Sequence, residues 1–313
     1  MRAFALSDGA AGNAKQALAL ADLLGQAATG LTVQLSGADR LLAPRFKAAS
    51  LRGTQIGDAS VLTALATWIE RSQPELVIGC GRAAAAVLRT IKQTKESCKT
   101  IQILAPECGA RHFDWVVCPQ HDRLRAPNVL TSLGSIHNIE SQLTAHCNQS
   151  DALLLLIGQP NKNARWTEHQ LRTLLADLQQ WPGELCISTS RRSGFDINAL
   201  IAASKLAEHP RVKIYQAGTA TPNPYLAWLL CAGTIIVTPD SVNMISEAMA
   251  TRARLLVPWQ ASARGKIARF LQINQPRLNG FDVRDIGAER SPAVPHADCE
   301  ALAKLLKRNL GLC

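Results

Sequence analysis

Short apolar runs that do not alternate with polar residues recur along this chain, and most are followed by a stretch with helical spacing. RAFALS (2–7), ELVIGC (75–80), ALLLLIG (152–158), ELCIST (184–189), GTIIVT (233–238) and ARLLVP (253–258) are the clearest. A strand apolar at every position has to be covered on both faces, and helices between consecutive strands make the sheet parallel. Further strands are expected at LTVQL (31–35), KTIQIL (99–104), FDWVVC (113–118), NVL (128–130) and RVKIYQ (211–216). Helices are expected over 13–24, 60–72, 83–92, 137–147, 167–180, 196–207, 223–232, 241–250, 263–273 and 297–310, with Thr167 as an N-cap. The Pro-, Gly- and Arg-rich stretch 37–58 reads as a loop. The polar gap HCNQSD (146–151) separates two series of similar size. The pattern therefore predicts an α/β chain of two Rossmann-like domains, 1–148 and 149–313, with the last helix in a position to pack back on the first.

Composition narrows the partners. Hydrophobic residues make up 47% of the 313, enough for two cores, and charged residues 19%. The net charge of +10 suits nucleic acid, an anionic membrane surface or a phosphorylated small molecule. Aromatics are only 4% and no block of consecutive Lys/Arg occurs, so nucleic acid is not expected. Nine cysteines without a CxxC pair read as reduced thiols, and no metal site is expected. No apolar stretch approaches the roughly 20 residues of a membrane span. A cytoplasmic chain is expected, with peripheral contact at the inner membrane left open.

In parallel sheets, ligands gather beyond the carboxyl ends of the strands. The residues there are unusually polar, Gly-rich and basic: SDGAAGN (7–13), GCGR (79–82), CPQHD (118–122), LGSIHN (133–138), GQPNKN (158–163), STSRR (188–192) and TPDS (238–241). SDGAAGN is neither GxGxxG nor a Walker loop, but Gly9 permits close approach of a ligand. Arg82 opens a helix, against the dipole, which marks either a site or a solvated cation. In STSRR, Ser188, Ser190 and Arg191 are the donors a diphosphate requires, unless the loop is merely solvated. In TPDSVNMISEA, Asp240, Ser241 and Asn243 sit at a helix start, where they serve as caps or hold phosphate. Glu247 is placed to accept two ribose hydroxyls or is an ordinary helix residue. Asp8 and His121 are the candidate general bases.

In the same order, SDGAAGNAKQALALADLLG, PELVIGCGR, FDWVVCPQHD, PNVLTSLGSIH, LLLLIG, STSRR and NPYLAWLLCAGTIIVTPDSVNMISEA resemble the bacterial relatives of the plant mitochondrial-fission "Elongate Mitochondria" family. The resemblance spans nearly the whole chain. It implies a GT-B-like fold, with two Rossmann-like domains facing across a cleft and a nucleotide-diphosphate sugar held mainly by the C-terminal domain. That sugar is a substrate; no cofactor and no metal are implied, and the acceptor is unspecified. The resemblance is compatible with a glycosyltransferase acting on a cell-envelope acceptor, with a nucleotide-sugar epimerase or hydrolase, and with a non-catalytic adaptor of the fission type. The chain departs from the family pattern at Arg252, where a glycine is usual, at Gln159 and at Ser193–Gly194.

Overall fold

The computed structural model describes residues 1–37, 39, 43, 53–58, 61–143, 150–190, 196–217, 222–278 and 298–312. The chain divides into two compact units, Met1–Asn138 with Asp298–Cys313, and Ile139–Ala297. The first contains β1 (Ala3–Ser7), α1 (Ala11–Leu23), β2 (Ala28–Gln34), β3 (Gln55–Gly57), β4 (Leu62–Ala64), α2 (Leu65–Ser72), β5 (Leu76–Cys80), α3 (Arg82–Thr94), β6 (Lys99–Ile103), β7 (Trp115–Pro119) and β8 (Val129–Ser132). The second contains β9 (Ser150–Ile157), α4 (Glu168–Asp177), β10 (Leu185–Thr189), α5 (Ile197–Ala202), β11 (Val212–Gln216), α6 (Tyr225–Cys231), β12 (Ala232–Val237), α7 (Val242–Met249), β13 (Arg254–Leu256) and α8 (Gly265–Asn274). The last helix, α9 (Asp298–Leu310), belongs to the first unit.

The sheet of the first unit runs β4-β3-β2-β1-β5-β6-β7-β8, and that of the second β11-β10-β9-β12-β13. Every pairing is parallel except β2 with β3 and β3 with β4. Strand β9 shows why the apolar runs lack alternation. Leu153, Leu155 and Ile157 pack with Trp166, Leu171 and Leu174. Leu154 and Leu156 pack on the opposite face with Ile235, Val237 and Ile245. Each side chain so buried contributes about 1.5–3 kcal/mol. Helix α4 starts at Thr167, whose hydroxyl accepts from Gln170 N while the Gln170 side chain returns to Thr167 N, a complete capping box. Helix α9 is held by Leu133 N donating to Asp298 Oδ2 at 2.7 Å, and it buries Cys299, Leu302 and Leu306 beside Leu20 and Leu24.

Two expectations differ. The helix expected over 60–72 begins only at Leu65, because 62–64 pair antiparallel with 55–57 as an edge hairpin. The same hairpin takes 55–57 out of the expected loop. Of the helix expected over 137–147, the described residues 137–143 contain a 3₁₀ turn, Glu140–Gln142, and 144–149 lie outside the described residues.

At the amino ends of β6 and β7, Asp114 accepts from Thr100 N (2.8 Å), Thr100 Oγ1 (2.9 Å) and Lys92 Nζ (2.7 Å). Burial raises its carboxyl, but the Lys92 and Thr100 donors together outweigh burial and leave it below the usual value. The stability it contributes is therefore present above the unfolded carboxyl pKa, about 3.9, and is lost as pH falls through the lowered folded value. Asp114→Asn is expected to cost about 1–3 kcal/mol in urea unfolding at neutral pH. The gap between variant and wild type should narrow in acid, and a gap independent of pH would refute this account.

Candidate functional site

Each sheet has one switch point, where the chain leaves a strand on one side and later returns on the other. In the second unit it lies between β9 and β12, in the first between β1 and β5. The loops after such strand pairs diverge and leave room for a ligand.

In the second unit, the loops after β9 and β12 are pinned to each other. Gly158 N donates to Thr238 Oγ1 (2.8 Å), and Gln159 N to Asp240 Oδ2 (2.7 Å). Trp166 Nε1 donates to Asp240 Oδ1 (2.8 Å), and Trp166 stacks on Trp259 with centroids 5.6 Å apart. Burial pushes the Asp240 carboxyl above its ordinary value, while bonds from Thr238, Gln159 and Trp166 pull it back in part. Both Asp240 oxygens are bonded within the chain and join the two strand ends.

Ser241 is the N-cap of α7, its Oγ accepting from Met244 N at 3.3 Å. A capping hydroxyl keeps its own proton to donate, so the cap leaves Ser241 a donor for a ligand. Asn243 lies in the first turn of α7. Glu247, one turn further, is half-buried and accepts from the Tyr225 hydroxyl. Ser188 is buried within β10. Ser190 closes that strand, its N donating to Ile157 O at 2.9 Å. Arg191 lies outside the described residues. The ends of β10, β9 and β12 are consecutive across the sheet, so Ser190 and Ser241 follow strands two places, about 10 Å, apart. Arg252 is exposed and is not among the residues with positive φ, so the backbone conformation does not call for a glycine there.

In the first unit, Asp8 is exposed, and its Oδ1 accepts from Ala10 N (3.1 Å) and Asn13 Nδ2 (3.0 Å). Gly9 adopts φ +83°, a value that favours glycine. Arg82 is exposed at the start of α3, where its Nε donates to Ala43 O (2.6 Å) and lies 3.7 Å from Glu107. His121 is 5% exposed, in the turn after β7. Strands β1 and β7 are three places apart, about 14 Å, so the structure does not bring Asp8 and His121 together.

Three residues at these switch points escaped the sequence reading. Thr238 is fully buried as the acceptor for Gly158. Gln102, 1% exposed in β6, donates to Gly81 O at 3.2 Å. Tyr225 reads as an ordinary start of an apolar helix. A buried polar residue within a strand was the available signal for the first two. No disulfide joins the described cysteines. Burial pushes the thiols of Cys98 and Cys186 up to about 11 and about 12, which leaves both unreactive.

The chain matches the family described as Mitochondrial fission ELM1 over residues 11–302. The Mitochondrial fission protein ELM1 of Arabidopsis thaliana is 27% identical over 266 residues, a match covering 71% of this chain and 62% of that protein. The chain thus spans less than two thirds of the plant relative's length. An uncharacterized protein of Rickettsia prowazekii (strain Madrid E) is 26% identical, with 98% of each covered. Among solved structures, S. aureus MnaA with UDP has a TM-score of 0.54 at 11% identity, covering 100% of this chain and 98% of that one. The glycosyltransferase SnogD from Streptomyces nogalater has a TM-score of 0.51 at 11% identity, covering 99% and 95%. At such identities the likeness is one of fold, and that fold is the GT-B-like pair of α/β units expected from the sequence. With all but the first ten and last eleven residues matched, this chain belongs to the mitochondrial fission ELM1 family.

Proposed function

We propose that this protein is a GT-B-type glycosyltransferase, moving a sugar from a nucleotide-diphosphate sugar to an acceptor hydroxyl, in keeping with a cell-envelope acceptor. The observation that carries the reading is the run of three adjacent strand ends in the second unit. Ser190 follows β10, the backbone at Gly158 follows β9, and the α7 amino terminus with Ser241 and Asn243 follows β12. In this reading Ser190, Arg191 and the α7 N–H groups stabilise charge developing on the leaving diphosphate. Glu247 takes the ribose. Asp8, exposed at the switch point of the first unit, is the better base for the acceptor hydroxyl than the buried His121. MnaA, a structural neighbour, was solved with UDP, which supports a nucleotide as the ligand class. No helix among the described residues is long and apolar enough to cross a membrane; the net charge of +10 suits a peripheral approach to an anionic surface.

The test is thermal stability against nucleoside diphosphates and their sugars, for wild type, Arg191→Ala and Glu247→Ala. A ligand at about 100 times its dissociation constant stabilises by roughly 2.7 kcal/mol. The expected result is a shift with one diphosphate that both variants lose. Sugar product formed without acceptor would favour an epimerase or hydrolase. No shift at millimolar concentrations across the panel would overturn the reading and favour an adaptor.

A further inference from the structure

Helix α6 ends at β12 and α7 begins just beyond it, so these two helices flank the strand that leads into the proposed nucleotide site. Tyr225, the first residue of α6, bridges them. Its backbone N donates to Asn223 Oδ1 at 3.0 Å, which fixes the start of the helix. Its ring packs against the core of the second unit, and its hydroxyl donates to Glu247 Oε2. A phenol has two χ angles and a rigid ring, so a tyrosine seated this way sets the carboxylate that it touches. The hydroxyl remains a donor over the whole working range, because burial and the Glu247 charge push its pKa well above the ordinary value.

We propose that Tyr225 is a positioning residue for Glu247: its hydroxyl fixes one carboxylate oxygen so that the carboxylate selects a ribose over a 2′-deoxyribose. The inference rests on the nucleotide reading of the second unit. A carboxylate has about four lone-pair sites, so holding one in place leaves acceptor capacity for sugar hydroxyls. A glutamate has three χ angles. A bond to one of its oxygens narrows the rotamers open to it, which lowers the ordering cost when a ribose binds. A tie that served only to hold α6 against α7 would affect every nucleotide equally. A positioning role acts on the one ligand group that Glu247 would touch.

The experiment measures, by calorimetric titration, the affinities of UDP, GDP, ADP and CDP and of their 2′-deoxy counterparts. It uses the wild type, Tyr225→Phe and, in case that variant does not fold, Glu247→Asp. The aspartate keeps the charge but withdraws it from the tyrosine. Expected for the wild type is a preference of about tenfold or more for the ribose form of the diphosphate that binds, the worth of one charge-assisted hydrogen bond. In either variant that ratio should fall toward one, with the affinity for the 2′-deoxy form changed less than about threefold. A wild type without ribose preference, or a preference intact in Tyr225→Phe, would overturn the inference while leaving nucleotide binding established. Equal losses for both sugar forms would reduce Tyr225 to a structural tie. Absence of binding by every nucleotide would overturn this inference together with the function on which it rests.

Discussion

Gly158→Ala is expected to destabilise the second unit by about 3 kcal/mol, well beyond an ordinary exposed-loop substitution. A Cβ at this position would stand 2.7 Å from Asp240 Cγ and 2.9 Å from Oδ1. The carboxylate cannot step aside at low cost, since it holds Gln159 N on one oxygen and Trp166 Nε1 on the other. Moving it leaves two buried donors unsatisfied, at about 1–3 kcal/mol each. Asp240→Ala on its own should cost a similar amount for that reason. The two changes share one cause, so they should not add: the double variant removes the carboxylate that the new methyl would strike. Urea unfolding followed by tryptophan fluorescence reports on it, because Trp166 and Trp259 stack beside Asp240. Additivity within about 0.5 kcal/mol would mean that the glycine is not required by the carboxylate. Ligand affinity should fall in Gly158→Ala as well, since the loops after β9 and β12 form the floor of the proposed site.

Parts of this arrangement are legible in the sequence, and the reason is physical. ALLLLIG is apolar at every position, and only a strand covered on both faces accommodates that; β9 is such a strand. Strand ends followed by Gly, Ser and Asp mark where the sheets open, so the loops at both switch points could be read without coordinates. The edge hairpin β3–β4 could not. Three residues per strand carry no usable period, and LTA at 62–64 is as compatible with helix as with strand. The partners of Asp240 could not be read either, for a different reason. A carboxylate at a helix start looks the same in sequence whether it faces a ligand or reaches back to another loop. Its partners Gln159 and Trp166 are 81 and 74 residues away. Tyr225 and Glu247 are 22 residues apart with a strand between them, so no local pattern connects them. What sequence fixes well is which face and which end of a sheet a residue occupies. What it leaves open is which of the polar residues gathered there satisfy one another.

The second large effect is expected at the switch point of the first unit, in Gly81→Ala. Gly81 adopts φ +91° and ψ −178°, a region that L-residues occupy only at a cost of about 1–3 kcal/mol. A Cβ there would also lie 2.7 Å from Asn13 Nδ2. Asn13 is held at both ends of its amide, donating to Asp8 Oδ1 at 3.0 Å and accepting from Cys80 Sγ at 3.6 Å. Displacing it adds an overpacking cost of about 1–3 kcal/mol, so a total of about 2–6 kcal/mol is expected for this unit. The Asn13→Ala background separates the two contributions. Removing the amide relieves the clash but not the backbone strain, so Gly81→Ala should then cost only the strain part. Full recovery in that background would show that the backbone conformation carries no strain, and no recovery would show that Asn13 is not the obstacle. Asp8 loses its Asn13 partner in both cases. If Asp8 is the base of the proposed transfer, turnover at saturating donor should fall in Gly81→Ala while the dissociation constant for the nucleoside diphosphate stays within about threefold of wild type, since the proposed nucleotide ligands all belong to the other unit. Loss of nucleotide affinity in step with turnover would place the donor at this switch point instead and reverse the assignment of the two units.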